Sequence, residues 1–107
     1  MSDTQQRIDQ LVKTHDVLLF MKGNASFPQC GFSGRAIQIL KACGVEPKSL
    51  ATVNVLEDPG IREGIKEYSN WPTIPQLYVK GEFIGGSDIM MEMYESGELQ
   101  QVINGQA

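Results

Sequence analysis

The stretch "VLLFMKGNASFPQCGFSGRAIQILKACG", residues 17–44, joins a run of strand character to a run of helical character. Residues 17–21 form a continuous apolar run of strand length, which is typical of a strand covered on both faces. Apolar residues then recur at helical spacing, and Gly44 follows them where a helix end favours a left-handed residue. We therefore predict a central strand, a loop and a helix over residues 31–43.

One further element before this stretch and two after it follow from local signals. Residues 2–14 begin with Ser2, followed three residues later by a glutamine, and carry apolar side chains on one face, which predicts a first helix. Residues 50–55 alternate as a strand, and Asp58 and Pro59 are favoured at the N-cap and first position of a third helix. A strand, a helix and a second strand in this order predict a parallel pair.

The C-terminal part of the chain predicts a hairpin and two short helices. "QLYV" and "EFIG", residues 76–79 and 82–85, flank the two-residue loop Lys80-Gly81, so we predict antiparallel strands. We predict that Ser87 caps a helix through about residue 95, and that a short final turn follows. The whole order predicts an α/β fold: a small mixed sheet with helices on both faces.

Length and composition limit the classes of function. The chain has 107 residues, of which 41% are hydrophobic and 21% charged, so we predict one globular domain over residues 1–107. The net charge is −4 and the nine Lys and Arg residues are scattered, which argues against nucleic-acid binding. The sequence contains no run of about 18 apolar residues, which is the length that would predict a membrane span. The first ten residues lack a secretory signal, so we expect the cytoplasm or an equivalent reducing compartment.

The two cysteines are expected to be independent of each other. Cys30 and Cys43 stand near opposite ends of the predicted helix, about 20 Å apart at the helical rise, whereas a disulfide needs Cα atoms within about 7 Å. Together with the lone His15 they do not supply the four ligands of a structural zinc site. Cys43 lies on the apolar face of the helix, so we expect it in the core.

Cys30 directly precedes the helix, where unpaired N–H groups and the positive end of the helix dipole favour a thiolate. Lys22, after the central strand, adds a cation on the same side. Ser33 stands where a redox helix would be expected to carry a second cysteine. A reactive, partly exposed thiolate and an inert loop cysteine are both compatible with the spacing.

Three segments carry a resemblance over nearly the whole chain, from the first helix to about residue 103. "MKG" with "PQCGFS", then "NWPTIPQLYV", then "GEFIGGSDI" resemble the monothiol glutaredoxins of the Cys-Gly-Phe-Ser class. The resemblance implies a thioredoxin fold with four strands in the order 2-1-3-4. It also implies a cis peptide bond before Pro75, beside Cys30.

The resemblance implies glutathione as a ligand. It assigns to glutathione binding the residues Lys22, Phe32, Arg62, Thr73, Ile74, Ser87 and Asp88. Lys22 and Arg62 would bind the glycine carboxylate, and the Thr73–Ile74 backbone would pair with the cysteinyl unit as an added strand. The helix start at Ser87–Asp88 would hold the γ-glutamyl end, and Phe32 would form an apolar wall.

Each of these residues also has a structural interpretation. Lys22 and Arg62 suit solvated positions, Asp88 suits the first turn of a helix, and Ile74 suits the core. Trp71 is expected to pack beside the proline-containing turn. The joint pattern favours binding, because glutathione needs two cations and an anion on opposite sides of one thiol.

One position departs from the family pattern. The family usually has a cysteine where this chain has Ser87, and in some members that cysteine pairs with the active-site thiol. An intramolecular disulfide is therefore not expected here. Ser87 keeps the backbone donors, so we expect glutathione binding to be retained.

A 2Fe-2S cluster needs four ligands, usually thiolates. One chain offers Cys30, and two chains with two glutathiones offer four. The resemblance accordingly implies a labile cluster in a glutathione-linked homodimer, handed to iron-sulfur acceptor proteins, and mixed complexes with BolA-like proteins. We predict glutathione-dependent binding, assembly and transfer of a 2Fe-2S cluster, with Cys30 as both redox-active residue and metal ligand.

The competing interpretation is enzymatic. A Cys30 thiolate could attack a protein-glutathione mixed disulfide and be released by a second glutathione, without a resolving cysteine. The resemblance implies poor turnover, in line with a loop before Cys30 that is longer than in the dithiol relatives. Weak thiol-disulfide oxidoreductase activity is thus the alternative function, and a role as an interaction module alone is a third.

Overall fold

The computed structural model describes residues 2–46 and 48–105. Its elements, in chain order, are α1 (Asp3–Thr14), β1 (Val17–Met21), α2 (Gly31–Ala42), β2 (Ala51–Asn54), α3 (Pro59–Ser69), β3 (Gln76–Val79), β4 (Glu82–Gly85), α4 (Ser87–Ser96) and α5 (Glu98–Ile103). All predicted elements are present. The predicted ends of α1, α2, β2 and α4 differ from the observed ones by one residue.

The four strands form one mixed sheet in the order β2-β1-β3-β4. β1 pairs in parallel with β2 and antiparallel with β3, and β3 pairs antiparallel with β4. The hairpin loop has left-handed backbone at both residues, Lys80 (φ +52°) and Gly81 (φ +84°), as a two-residue turn of this kind requires. The predicted α/β class and the strand order 2-1-3-4 are confirmed.

β1 lies between two hydrophobic cores, one on each face of the sheet. Leu18 and Phe20 face α1 and α3, and they pack with Ile8, Ile65 and Tyr78. The alternate residues of the strand face α2, α4 and α5, where the other core contains Val17, Leu19, Met21, Leu40, Met90 and Leu99. All five β1 side chains are buried, which confirms the strand predicted to be covered on both faces.

Local capping signals start the first and third helices as predicted. The Ser2 hydroxyl accepts a hydrogen bond from the Gln5 N–H at 3.1 Å, and the Asp58 carboxylate accepts one from the Ile61 N–H at 3.1 Å. Each bond satisfies one of the unpaired donors at a helix start. Pro59 occupies the first turn of α3, where it removes no helical hydrogen bond.

The predicted N-cap of α4 is wrong by one residue. The N-cap is Gly86, whose carbonyl accepts the Met90 N–H at 2.9 Å, and Ser87 is a buried residue inside the helix. A Cβ on Gly86 would lie 3.3 Å from the carbonyl oxygen of Pro75. The close approach of these two segments favours a glycine at the N-cap position. The helix therefore begins at Ser87, and Ser87 is not its cap.

Part of the predicted domain, residues 1, 47, 106 and 107, lies outside the described residues, and the single domain over residues 1–107 stays a prediction. Within residues 2–46 and 48–105, no helix combines the length and the apolar character that crossing a membrane requires.

Candidate functional site

Cys30 is the N-cap residue of α2, with extended backbone (φ −155°, ψ 146°), and its thiol is partly exposed. Burial by itself would raise the pKa of this thiol. Hydrogen bonds from the backbone and hydroxyl of Ser33 and from the backbone of Phe32, together with the charge on Lys22, outweigh burial and lower the pKa of Cys30. The site therefore favours a thiolate at the start of the helix.

Ser33 is fully buried and connects two parts of this site. Its hydroxyl oxygen accepts a hydrogen bond from the Lys22 backbone N–H at 3.0 Å. A hydroxyl group can accept one hydrogen bond and still donate its own proton. The Ser33 side chain also forms a hydrogen bond with Cys30, which lowers the pKa of that thiol. Sequence reasoning treated Ser33 only as a missing cysteine, and no local signal in the sequence indicates the Lys22 contact.

The second thiol has a different environment. Cys43 is buried in the core beside α2, and burial raises its pKa. Both cysteines are free, so the prediction that they do not form a disulfide is confirmed. His15 is exposed at the end of α1, and no group of three or more His, Cys, Asp or Glu side chains among the described residues could hold a metal ion.

The loop before Cys30 is held by its own hydrogen bonds. Gly23 has a φ of +89°, and a Cβ there would lie 2.5 Å from the Phe27 carbonyl oxygen, so this position requires glycine. The Asn24 carboxamide accepts from the N–H groups of Ser26 and Phe27 at 3.0 and 2.9 Å. Asn54 anchors the loop to β2, because its side-chain oxygen accepts the Gly23 N–H at 3.0 Å.

A cavity of about 410 Å³ lies on the Lys22 and Phe32 side of the Cys30 site. It is lined by all seven residues that the resemblance assigned to ligand binding, namely Lys22, Phe32, Arg62, Thr73, Ile74, Ser87 and Asp88. Cys30 is not a lining residue, but Lys22 and Phe32 both lower its pKa and line the cavity. The tertiary structure thus collects the residue that follows β1 and residues from α2, α3, the segment before β3, and α4.

Polar and aromatic side chains that were not predicted for the site also line the cavity or lie next to it. Lys66 lines the cavity and pairs with Glu63 at 3.5 Å. Trp71, expected to be a packing residue, does contact the Phe83 ring, but it is also 39% exposed and lines the cavity. Arg35 of α2 lies 3.6 Å from the Asp88 carboxylate. Such exposed pairs contribute little to stability, so Asp88 remains available to a ligand.

The segment 71–75 forms one wall of the cavity. Its Ile74–Pro75 peptide bond is cis, as predicted. The buried side chain of Gln76 donates hydrogen bonds to the carbonyl oxygens of Trp71 and Thr73, at 3.1 and 3.0 Å. The side chains of Lys22, Arg62 and Asp88 line the same cavity as this segment, whose carbonyl groups are held by Gln76 on the buried side.

Comparison with protein families gives a match to Glutaredoxin over residues 17–84. The chain belongs to the glutaredoxin family. A Synechocystis relative, the uncharacterized monothiol glutaredoxin ycf64-like, is 57% identical over 94% of this chain and 92% of its own length. Glutaredoxin 4 of Escherichia coli K12 is 48% identical over 96% of this chain and 87% of its own length. With a single thiol, Cys30, at the helix start, this glutaredoxin is a monothiol member.

Solved structures agree with the glutaredoxin fold. The solution structure of reduced poplar apo GrxS14 is 50% identical and superimposes with a TM-score of 0.80, over 95% of this chain and 91% of that one. The buckwheat glutaredoxin-glutathione complex has a TM-score of 0.82 over 96% of this chain and 89% of that one, at 22% identity. The second likeness shows the thioredoxin-type fold alone.

Proposed function

We propose that this glutaredoxin binds glutathione beside Cys30 and uses it to assemble and transfer a 2Fe-2S cluster between two protomers. One observation carries the proposal: each chain has one partly exposed thiol of lowered pKa, beside a cavity whose charges suit glutathione. We expect the protein to act in the cytoplasm or another reducing compartment, because a free reactive thiol persists there.

Glutathione matches the cavity group by group. It carries two carboxylates, one ammonium and a thiol. The side chains of Lys22 and Arg62 suit the glycine carboxylate, and the Asp88 carboxylate suits the ammonium. The start of α4 offers N–H groups to the second carboxylate, and the Thr73–Ile74 backbone suits the extended peptide. A buckwheat glutaredoxin of the same fold was solved as a glutathione complex.

The number of thiolates supports an intermolecular cluster. A 2Fe-2S cluster takes four ligands, usually thiolates. Cys43 is buried, so one chain supplies one thiolate, and the described residues hold no cluster of His, Cys, Asp or Glu that could complete the set. Cys30 and one bound glutathione from each of two protomers make four. The donor set therefore fits a cluster shared between two chains.

Transfer follows from the nature of these ligands. Two of the four are small thiols that are not covalently attached to the protein. Incoming thiolates of an acceptor protein can replace them and then Cys30, with one iron–sulfur bond broken for each one formed. A BolA-like partner would occupy the place of the second protomer and supply the missing ligands. We therefore propose acceptor proteins and BolA-like proteins as partners.

Anaerobic reconstitution tests this proposal. Protein supplied with iron, sulfide and glutathione is expected to develop visible cluster absorption and to elute as a dimer. Cys30→Ser should abolish both changes, whereas the matched control Cys43→Ser should retain them. Omission of glutathione should also abolish them. A colourless monomer in the complete mixture would contradict the proposal.

The lowered pKa of Cys30 favours a second candidate function, the reduction of glutathionylated proteins. The Cys30 thiolate would attack the glutathione sulfur, form a Cys30–glutathione disulfide and release the protein thiolate. A second glutathione thiolate would then release oxidised glutathione and regenerate Cys30. Rapid glutathione-dependent reduction of a glutathionylated peptide, lost in Cys30→Ser, is expected in that case, and negligible turnover would exclude it.

A further inference from the structure

We propose that Gln76 is a positioning residue for ligand binding: its side chain orients the Thr73–Ile74 peptide so that the Ile74 N–H faces the cavity. This inference rests on the proposed binding of glutathione, whose extended backbone would accept that hydrogen bond. Gln76 does not line the cavity itself. Its side chain is fully buried behind the segment that forms the cavity wall.

The Gln76 carboxamide has a fixed orientation. Its two N–H groups are both used, one on the Trp71 carbonyl at 3.1 Å and one on the Thr73 carbonyl at 3.0 Å. Its oxygen receives the Tyr78 hydroxyl at 3.4 Å. A rotation of the carboxamide by half a turn would place its oxygen against two carbonyl oxygens. The buried Gln76 side chain therefore holds two carbonyl groups of the segment 71–75, those of Trp71 and Thr73, in place.

These hydrogen bonds fix the orientation of the Thr73–Ile74 peptide group. The cis bond of this segment is Ile74–Pro75, so the Thr73–Ile74 peptide is trans, and its C=O and N–H point in opposite directions. Gln76 holds the Thr73 C=O on the buried side. The Ile74 N–H consequently points away from the core, on the side where Thr73 and Ile74 line the cavity.

The segment has few backbone N–H groups that could bind a ligand. Pro72 and Pro75 have no backbone N–H, so the run Pro72–Pro75 contains two donors, at Thr73 and Ile74. An extended peptide that pairs with this wall as an added strand depends on those donors. Gln76 fixes one of them without touching the ligand, which makes it a positioning residue and not a catalytic one.

Gln76→Met tests the inference, because methionine has a similar length and no N–H donor. We expect the dissociation constant for glutathione to rise about tenfold, the effect of one hydrogen bond, while the midpoint of Cys30 alkylation against pH stays unchanged. Tyr78→Phe is the matched control. It removes the long contact to the Gln76 oxygen, keeps both donors, and should retain the affinity.

Amide hydrogen exchange provides a second readout, whose wild-type part does not depend on the folding of a variant. Glutathione should slow exchange of the Ile74 amide in the wild-type protein, and folded Gln76→Met should lose this protection. Glutathione binding without protection of Ile74, or equal affinity in folded Gln76→Met, would overturn the inference. Failure of the wild-type protein to bind glutathione at all would instead overturn the proposed function on which it rests.

Discussion

The Ser33 hydroxyl accepts the backbone N–H of Lys22 at 3.0 Å, and this hydrogen bond joins the end of β1 to the first turn of α2. Both residues also lower the pKa of Cys30, Ser33 by hydrogen bonding and Lys22 by its charge. The serine that replaces a second cysteine is therefore part of the environment of the remaining thiol.

Replacement of Ser33 by alanine is expected to raise the pKa of Cys30. Burial already raises this pKa, and the variant removes one of the hydrogen bonds that outweigh burial. The rate of iodoacetamide alkylation follows the thiolate, so its midpoint should move to higher pH, toward the ordinary thiol value of about 8.5. Ser26→Ala, at an exposed loop position, should leave the midpoint unchanged.

Lys22→Met should raise the pKa of Cys30 through a different cause. The backbone hydrogen bond to Ser33 stays, and only the positive charge is removed. Salt screens charges but not hydrogen bonds, and the screening length falls to about 3 Å at 1 M salt. The difference in pKa between wild type and Lys22→Met should therefore shrink in high salt, whereas that between wild type and Ser33→Ala should persist. An equal response of both variants to salt would contradict this assignment.

Asn54→Ala is expected to loosen the loop before Cys30. The Asn54 oxygen accepts the N–H groups of Gly23 and Leu56, each at 3.0 Å, so the variant frees two donors at once. Amide hydrogen exchange at Gly23 should accelerate by more than exchange at the β1 amides. The free energy of unfolding should fall by about 1–3 kcal/mol. Unchanged exchange at Gly23 would show that the loop does not depend on this anchor.

Gly64→Ala should destabilise the contact between α1 and α3. An added Cβ would lie 2.9 Å from the Thr4 methyl group and 3.0 Å from the end of Ile8. The higher helix propensity of alanine, about 1 kcal/mol, is offset by overpacking, so we expect a net loss of about 1–2 kcal/mol in thermal or urea unfolding. Gly31→Ala is the control, because nothing lies within 4 Å of its added Cβ and it should cause no loss.

Cys43 should be inert in the folded protein. Cys43 is 3% exposed, and burial raises the pKa of its thiol, so alkylation at neutral pH should modify Cys30 alone. Cys43→Ser should keep the alkylation profile of Cys30 and lose about 1–3 kcal/mol of stability, since a hydroxyl replaces an apolar thiol in the core. Mass spectrometry of the alkylated peptides distinguishes the two sites, and early labelling of Cys43 would refute the prediction.

Much of the fold could be predicted from the sequence because its signals are local. The five apolar residues of β1, the cap at Asp58 and the two-residue turn at Lys80 each act over a few residues, and each has the structure predicted for it. The strand order 2-1-3-4 came from the resemblance and is confirmed by the pairing. The failure at Ser87 has a tertiary cause, the approach of Gly86 to the Pro75 carbonyl.

The candidate site could be predicted only in part. The resemblance named seven residues that the structure collects around one cavity, but Lys66, Trp71 and Arg35 were not among them. Their positions depend on how α2, α3 and the segment before β3 pack against each other. Hydrophobic periodicity reports which side of a helix is buried, and it does not report which polar neighbours the other side meets.

By itself, the sequence determined the order of helices and strands and the presence of one thiol at a helix N-terminus, because periodicity, caps and turns act over about one helical turn. Only the tertiary structure decided the contacts that fix the thiol and the cavity. The Ser33 hydroxyl of α2 accepts the Lys22 N–H, and the buried Gln76 side chain donates to the Thr73 carbonyl behind the cavity wall. Such pairings arise when separate elements pack, so no single stretch of sequence contains them.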